Sequence, residues 1–325
     1  MAFYTYSEAV NKSKTKLEAG IYRTYALKNP LSKILPILPV NDLVYSFLTS
    51  NGLGNDMANR EFEGAFNEGT GTKTELRTIP LGVYQQTRKI ERLFQEYKGD
   101  LSENGSLLDD EMIDILTVLT YKSMYDFINA DIANGKKFDG LTKIAVTKGH
   151  NFSIGDGAVA ARLDKDNIFD ELSRLQDAIL GEDSDKVFMV DKAIFTNIQK
   201  NLRLSGLEFV VASDDFGRPY ASFRGSLIIP FGSYVVDPQG GAGPEKIDLI
   251  PTATYGGTAN THKIICATFG QKNIHALRGS KGTKVRADLE ATRPNTHPMV
   301  DVEDTFAVVD KTNGNSVAVL EGIIL

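Results

Sequence analysis

Residues 107–135 read LLDDEMIDILTVLTYKSMYDFINADIANG and form the clearest helical pattern in the chain. Ser106 stands ahead of the run as an N-cap, and Asp109 three residues on completes a capping-box-like start. Asp109, Asp110 and Glu111 lie at the positive end of the helix dipole. Leu108, Met112, Ile115, Leu116, Leu119 and Met124 recur at helical spacing, and Tyr121, Tyr125, Phe127, Ile128 and Ile132 widen that stripe. Gly135 supplies a stop. The pattern predicts one helix over 106–134, roughly 40 Å long at 1.5 Å per residue. That is well above the usual helix length.

Upstream, residues 42–98 read as a long two-stranded flap. DLVYSFL is rich in aromatic and branched residues and predicts an outgoing strand. TELRTIPLGVY predicts the returning strand, with Pro80 suited to an edge. The stretch between them is dense in Gly and Asn, and within it Phe62, Gly64 and Phe66 alternate with Glu61 and Glu63. A flap of this kind cannot bury itself, because isolated two-stranded hairpins are marginal in water. It is expected to lie on another chain.

Residues 1–30 carry Lys12, Lys14, Lys16, Arg23 and Lys28 against Glu8 and Glu18, with little core-forming content. Pro30, Pro36 and Pro39 frame the apolar run LSKILPILPV, and each residue before a proline is pushed toward extended geometry. The expectation is an extended basic arm that ends in an apolar strip and rests on a neighbouring subunit.

Downstream, residues 150–290 alternate in type. IFDELSRLQDAILG predicts an amphipathic helix closed by Gly181, and KVFMV a short buried strand. DKAIFTNIQKNLRLSG predicts a second helix with Asp191 as N-cap and Gly206 as stop. LEFVVA, SLIIP, YVVD, KIDLI and KIICATFG follow as short strands. At the end, VEDTFAVVD and VAVLEGIIL flank an Asn-Gly turn, which predicts a hairpin.

The 325 residues carry 42 acidic against 36 basic side chains, a net charge of −6. That balance argues against broad nucleic-acid binding as the main task. One basic stretch, 271–293, holds Lys272, Arg278, Lys281, Lys284, Arg286 and Arg293; it suits nucleic acid or an acidic neighbour. Cys266 is the only cysteine, so an intramolecular disulfide and a Cys-rich zinc site are excluded. The first 20 residues lack the apolar core of a signal peptide, and no run approaches a membrane span. No phosphate-binding loop or nucleophile elbow occurs. DKDNIFDE begins like a calcium loop, but Phe169 occupies the position that needs Gly. Asp214 and Asp215, or Cys266 with His275, are the residues an enzyme reading would use, and they form no coherent set; a turn and a buried thiol are the plainer accounts. No catalytic, cofactor or metal residue is assigned.

The order of these parts resembles the major capsid proteins of tailed bacteriophages and their relatives, the encapsulin shell proteins. EFEGAFNEGTGTKTELRTIPLGVY is similar to that family's extended loop, and LLDDEMIDILTVLTYKSMYDFINADIANG to its spine helix. KVFMVDKAIFTNIQKN and GRPYASFRGSLIIPFGSYVVD fall where the family has its axial subdomain. The resemblance spans about residues 20–325 and implies an α+β capsid fold. Its parts would be an N-terminal arm (1–41), an extended loop with flanking strands (42–98), a peripheral domain with the spine helix (99–150), an axial domain (151–293) and a return to the peripheral domain (294–325).

It further implies a shell around phage double-stranded DNA, built from pentamers and hexamers of this chain. Contacts between subunits would come from Arg23 and Lys28 of the arm and from Arg60, Glu61, Phe62, Glu63, Lys73, Glu75 and Arg77 of the loop. Expected partners are a separate scaffolding protein, a portal and decoration proteins, with only weak or non-specific contact to DNA and none to a membrane. The chain begins directly in arm-like sequence, which leaves no room for a removable scaffolding segment. Some relatives cross-link a loop lysine to a neighbour's asparagine; Lys73 lies in the loop, but no partner asparagine is identifiable. The expected location is the virion, after assembly in the host cytoplasm. An encapsulin compartment around a cargo enzyme is the alternative, and a soluble α/β enzyme is the second.

Overall fold

The computed structural model describes residues 30–31, 34–50, 74–89, 105–204, 211–213, 219–236, 243–280, 284–288 and 299–325. In chain order the strands are β1 (Ile37–Val40), β2 (Val44–Ser50), β3 (Thr74–Pro80), β4 (Gly82–Lys89), β5 (Asn151–Ser153), β6 (Ala161–Arg162), β7 (Lys186–Asp191), β8 (Val211–Ser213) and β9 (Pro219–Phe223). They continue as β10 (Ser226–Phe231), β11 (Ser233–Val236), β12 (Glu245–Asp248), β13 (Ala253–Tyr255), β14 (Thr258–Thr268), β15 (Ile274–Gly279), β16 (Lys284–Asp288), β17 (Met299–Asp310) and β18 (Val317–Ile324). The helices are α1 (Gly105–Asn129), α2 (Leu141–Lys148), α3 (Ile168–Asp177) and α4 (Lys192–Leu204).

The helix expected over 106–134 is α1, and the buried stripe is the one the sequence spaced: Ile115, Leu116, Leu119, Met124, Phe127 and Ile128. Leu108 and Met112 fall where side chains are not described. The helix starts one residue before Ser106 and stops at Asn129, five residues short of the expected end. Asp131 explains the early stop. Its backbone is extended, and its carboxylate accepts from the Ala133 amide, which starts a separate 3-10 turn over Ile132–Asn134. An Asp side chain that can bond its own local backbone offers the chain an alternative to the helix. Gly135, with φ 82, ends that turn rather than the long helix, and Ile132 is exposed instead of joining the stripe.

Among the described residues two large sheets share the core. One runs β1-β15-β17-β16, with β4 on the other side of β17. β15 and β16 follow one another along the same edge of β17, opposite residues 306–310 and 299–303 respectively. The second runs β5-β18-β14-β7-β10-β9-β8, with β13 on β14 and β6 on β18. Its central strands are buried on both faces, which is why KVFMV and IICAT read as continuous apolar runs. Phe188, Val190, Ile264 and Cys266 face α3 and α4. Val187, Met189, Ile265 and Ala267 face the cluster that holds α1 and the first sheet. Asp191 caps α4 as expected, its Oδ1 accepting from the Ile194 amide at 2.8 Å.

The apolar strip after the basic arm is held by this chain itself, while residues 1–29 of the arm lie outside the described residues; two expectations further along the chain are corrected. Leu31, Leu35, Ile37, Leu38 and Val40 are buried in the chain's own core, and β1 pairs in parallel with β15. A run of five apolar side chains is stabilised more by its own core than by solvent, whatever the arm before it does.

The terminal runs do not pair as a hairpin. The Asn-Gly turn forms, with φ 56 at Asn313 and 85 at Gly314, but β17 enters the first sheet and β18 the second. Both edges of β17 are already taken by β15 and β4, and β18 is flanked by β14 and β5. β15 and β16 thus join β17 in the first sheet, while β18 leaves it for the second.

Within the basic stretch 271–293, expected to meet nucleic acid or an acidic neighbour, Arg278 is instead turned into the chain's own core. Arg278 is 2% exposed and forms a two-point pair with Asp304, Nε to Oδ1 at 2.9 Å and Nη2 to Oδ2 at 3.2 Å.

Candidate inter-subunit surface

β3 and β4 are one strand bent at Leu81, and the bend separates two pairings. Before it, β3 pairs with β2 in register from Val44 opposite Pro80 to Ser50 opposite Thr74. After it, β4 pairs with β17 from Gly82 opposite Phe306 to Lys89 opposite Met299. β2 and β3 therefore pair as the outgoing and returning strands, and among the described residues no third strand joins this ribbon, on which Pro80 lies.

Period-two alternation gives this ribbon two faces. Tyr45, Phe47, Thr49, Arg77 and Ile79 turn toward the body. The Tyr45 and Phe47 rings stack at 5.9 Å, and Phe47 joins the core. The outer face carries Val44, Ser46, Leu48, Leu76, Thr78 and Pro80. On it Leu48 and Leu76 are directly opposite one another and are 60% and 67% exposed. Ser46 and Thr78 share a hydrogen bond at 3.2 Å. Leu43, just before β2, and Val83, just after the bend, are exposed as well. Sequence reading placed the flap but named only its charged and aromatic residues. Strict alternation against the buried Phe47 was the signal that would have found Leu48 and Leu76.

Of the nine residues expected to contact neighbours, Glu75 and Arg77 are described; Arg23, Lys28, Arg60, Glu61, Phe62, Glu63 and Lys73 lie outside the described residues. Within the chain Arg77 pairs with Glu75 at 3.3 Å and donates to Asn313 Oδ1 at 2.7 Å. A cleft of about 370 Å³ lies beneath the hairpin root, between Phe47, Arg77 and Ile79 on one side and Phe138, Ile144, Lys148 and Val308 on the other.

Beneath the ribbon's exit a buried polar cluster fixes the base. Tyr84 donates to Asp126 Oδ2 at 2.9 Å, and Lys136 reaches Asp126 Oδ1 at 2.9 Å. Burial first, and then the Asp126 carboxylate, raise the Tyr84 phenol far above its ordinary range. Tyr84 is in register with Asp304, the partner of Arg278. The cluster ties β4, β15, β17 and the end of α1 into one block. Between the two sheets, Lys263 donates to Asn129 Oδ1 at 3.0 Å, and Asn129 donates to the Leu249 carbonyl at 3.0 Å. Burial holds the Lys263 ammonium below its usual pKa.

The residues of an enzyme reading are not gathered. Cys266 lies in β14 of the second sheet, fully buried, with its thiol pushed up by burial. His275 lies in β15 of the first sheet, where burial and the nearby Lys311 charge lower it to about 4. His262 bonds Asp191 at 2.6 Å rather than joining Cys266. Asp214 and Asp215 lie outside the described residues. The calcium-like stretch is a helix start, with Asp164 Oδ1 accepting from the Asp166 amide at 3.0 Å. Among the described residues no group of three His, Cys, Asp or Glu side chains gathers to hold a metal, and no helix is long and apolar enough to cross a membrane.

Compared by sequence, the chain matches no family model and no curated protein. Its structure is similar to solved shells. The capsid of the native GTA particle matches at a TM-score of 0.62 and 15% identity, over 93% of this chain and 91% of that one. The holo-SrpI encapsulin complex from Synechococcus elongatus PCC 7942 matches at 0.59 and 14%, over 99% and 96%. The head of Helicobacter pylori bacteriophage KHP40 matches at 0.56 and 9%, over 91% and 90%. The fold expected from the sequence is thus the fold observed: that of phage capsid and encapsulin shell proteins.

Proposed function

We propose that the chain is a major capsid protein whose copies assemble, as pentamers and hexamers, into an icosahedral shell around phage double-stranded DNA. The observation that carries this reading is the β2–β3 ribbon, which packs one face on its own chain and leaves Val44, Leu48 and Leu76 in solvent on the other. Apolar side chains lined up on an exposed ribbon mark a surface that another protein covers. In a closed shell that cover is the next copy, through a contact repeated around each symmetry axis. The division into arm, extended loop, peripheral and axial parts belongs to this proposal. So do the contact roles of Arg23, Lys28, Arg60, Glu61, Phe62, Glu63, Lys73, Glu75 and Arg77, and the partnership with a scaffold, a portal and decoration proteins. The site of action is the virion, with assembly in the host cytoplasm and only non-specific contact with DNA, in keeping with the net charge of −6.

A second reading, an encapsulin compartment around a cargo enzyme, is favoured by the likeness to the SrpI encapsulin over 99% of the chain. Electron microscopy of the purified chain, alone and with the products of neighbouring genes, tests both. Hollow or DNA-filled shells tens of nanometres across support the head protein, and shells filled with a co-expressed enzyme support the compartment. Monomers at high concentration under every condition would overturn both.

A further inference from the structure

The ribbon joins the body at two points, the bend at Leu81 between β3 and β4 and residues 41–43 between β1 and β2, where the Leu81 amide donates to the Leu43 carbonyl at 2.8 Å, and the cleft lies beneath its root. An isolated two-stranded ribbon is marginally stable in water, so its placement depends on what holds it to the body. Among the described residues, a polar link from Arg77 crosses the gap. Arg77 Nη2 on β3 donates at 2.7 Å to Oδ1 of Asn313, a residue 236 positions away, while Glu75 holds the same guanidinium at 3.3 Å.

The far end of that link is anchored unusually well. Asn313 occupies the left-handed region with φ 56, a conformation that Asn tolerates and most residues do not. Asp310 accepts from the Thr312 amide at 2.9 Å, the Thr312 hydroxyl at 2.6 Å and the Gly314 amide, which closes the turn on itself. The turn is then bonded outward: the Leu180 amide, just past α3, donates to the Asn315 carbonyl at 2.8 Å, and the Thr268 amide at the end of β14 donates to the Ser316 carbonyl at 2.9 Å. It is thus the fixed joint between β17 of one sheet and β18 of the other.

We infer that Arg77 is a positioning residue: its bond to Asn313 latches the hairpin to this joint and sets the angle at which the flap leaves the body. The latch is a property of the single chain. Its consequence for assembly rests on the reading proposed above: the flap's angle places the next subunit, so a loose latch lets curvature vary from contact to contact.

The test separates the two. Cysteines at Leu76 on the ribbon and Lys200 on α4 carry spin labels, and buried Cys266 stays unlabelled. Pulsed electron resonance then gives the hairpin-to-body distance in the unassembled chain. Asn313→Gly removes the acceptor while keeping the turn's backbone, and Asn313→Asp keeps an acceptor and adds charge. The expected result is one narrow distance for the parent and for N313D, and a broadened or two-peaked distribution for N313G and Arg77→Ala. Superimposable distributions for the parent and N313G would overturn the latch, whatever the shells look like. If the latch opens as expected, N313G shells should spread over more than one diameter; uniform shells would overturn its role in curvature. A parent that forms no shell refutes the assembly reading and leaves the distance measurement to decide the latch.

Discussion

Arg278→Met is the substitution whose effect the structure defines most sharply. The Arg278 and Asp304 side chains are 2% and 5% exposed, and their two-point pair joins β15 to β17 inside the core. Methionine fills much of the arginine's volume, so the change is mainly one of charge. It leaves the Asp304 carboxylate buried, with the Thr305 amide still donating to it at 2.9 Å but its guanidinium gone. Removing one member of a buried pair costs about 3–5 kcal/mol, because the other charge stays desolvated. Unfolding entropy of about 2.1 cal/mol/K per residue gives about 0.7 kcal/mol/K for 325 residues, so the midpoint should fall by about 4–7 °C. The double variant R278M/D304L removes both charges. It orphans the Thr305 amide at about 1–3 kcal/mol, but it also removes the desolvation of two ions. It should therefore recover at least half of the loss. Urea and thermal unfolding of unassembled protein at neutral pH measure all three chains. An R278M variant within about 1 kcal/mol of the parent, or a double variant less stable than R278M, would refute the reasoning.

Three further outcomes follow from the same geometry. Leu48→Asp with Leu76→Lys alters only exposed side chains, so stability should move by no more than about 0.5 kcal/mol per site, while assembly, read by light scattering, is lost. His275 has its pKa lowered to about 4 in the folded chain against an ordinary 6.5, so the unfolded chain takes up its proton first as pH falls. Stability is then present above about pH 6.5 and lost toward pH 4, by about 3 kcal/mol at most at 1.36 kcal/mol per pKa unit; His275→Gln should remove that part of the acid slope in unfolding midpoints. Gly314→Ala forces a Cβ to 2.7 Å from the Lys148 Cβ at a residue with φ 85, and should cost about 1–3 kcal/mol in denaturant titrations.

Much of the architecture was written in local pattern. The α1 stripe from Ile115 to Ile128, the Asp191 cap, the flap strands around Tyr45 and Ile79 and the buried runs KVFMV and IICAT follow from period, capping chemistry and burial on both faces. Each depends on neighbours a few residues away, so a linear reading reaches them. What needed the tertiary structure depends on partners far along the chain. Arg278 read as part of a basic surface because its partner Asp304 is 26 residues on. The Asn313-Gly314 turn read as a hairpin because nothing local reveals that β4 and β15 already occupy both edges of β17. The bond from Arg77 to Asn313 shows in no local pattern either, because its acceptor lies 236 residues away. Local sequence fixes conformation and amphipathic face. Which faces and edges meet is decided by competition among all of them for a limited buried volume, and only the folded chain resolves that competition.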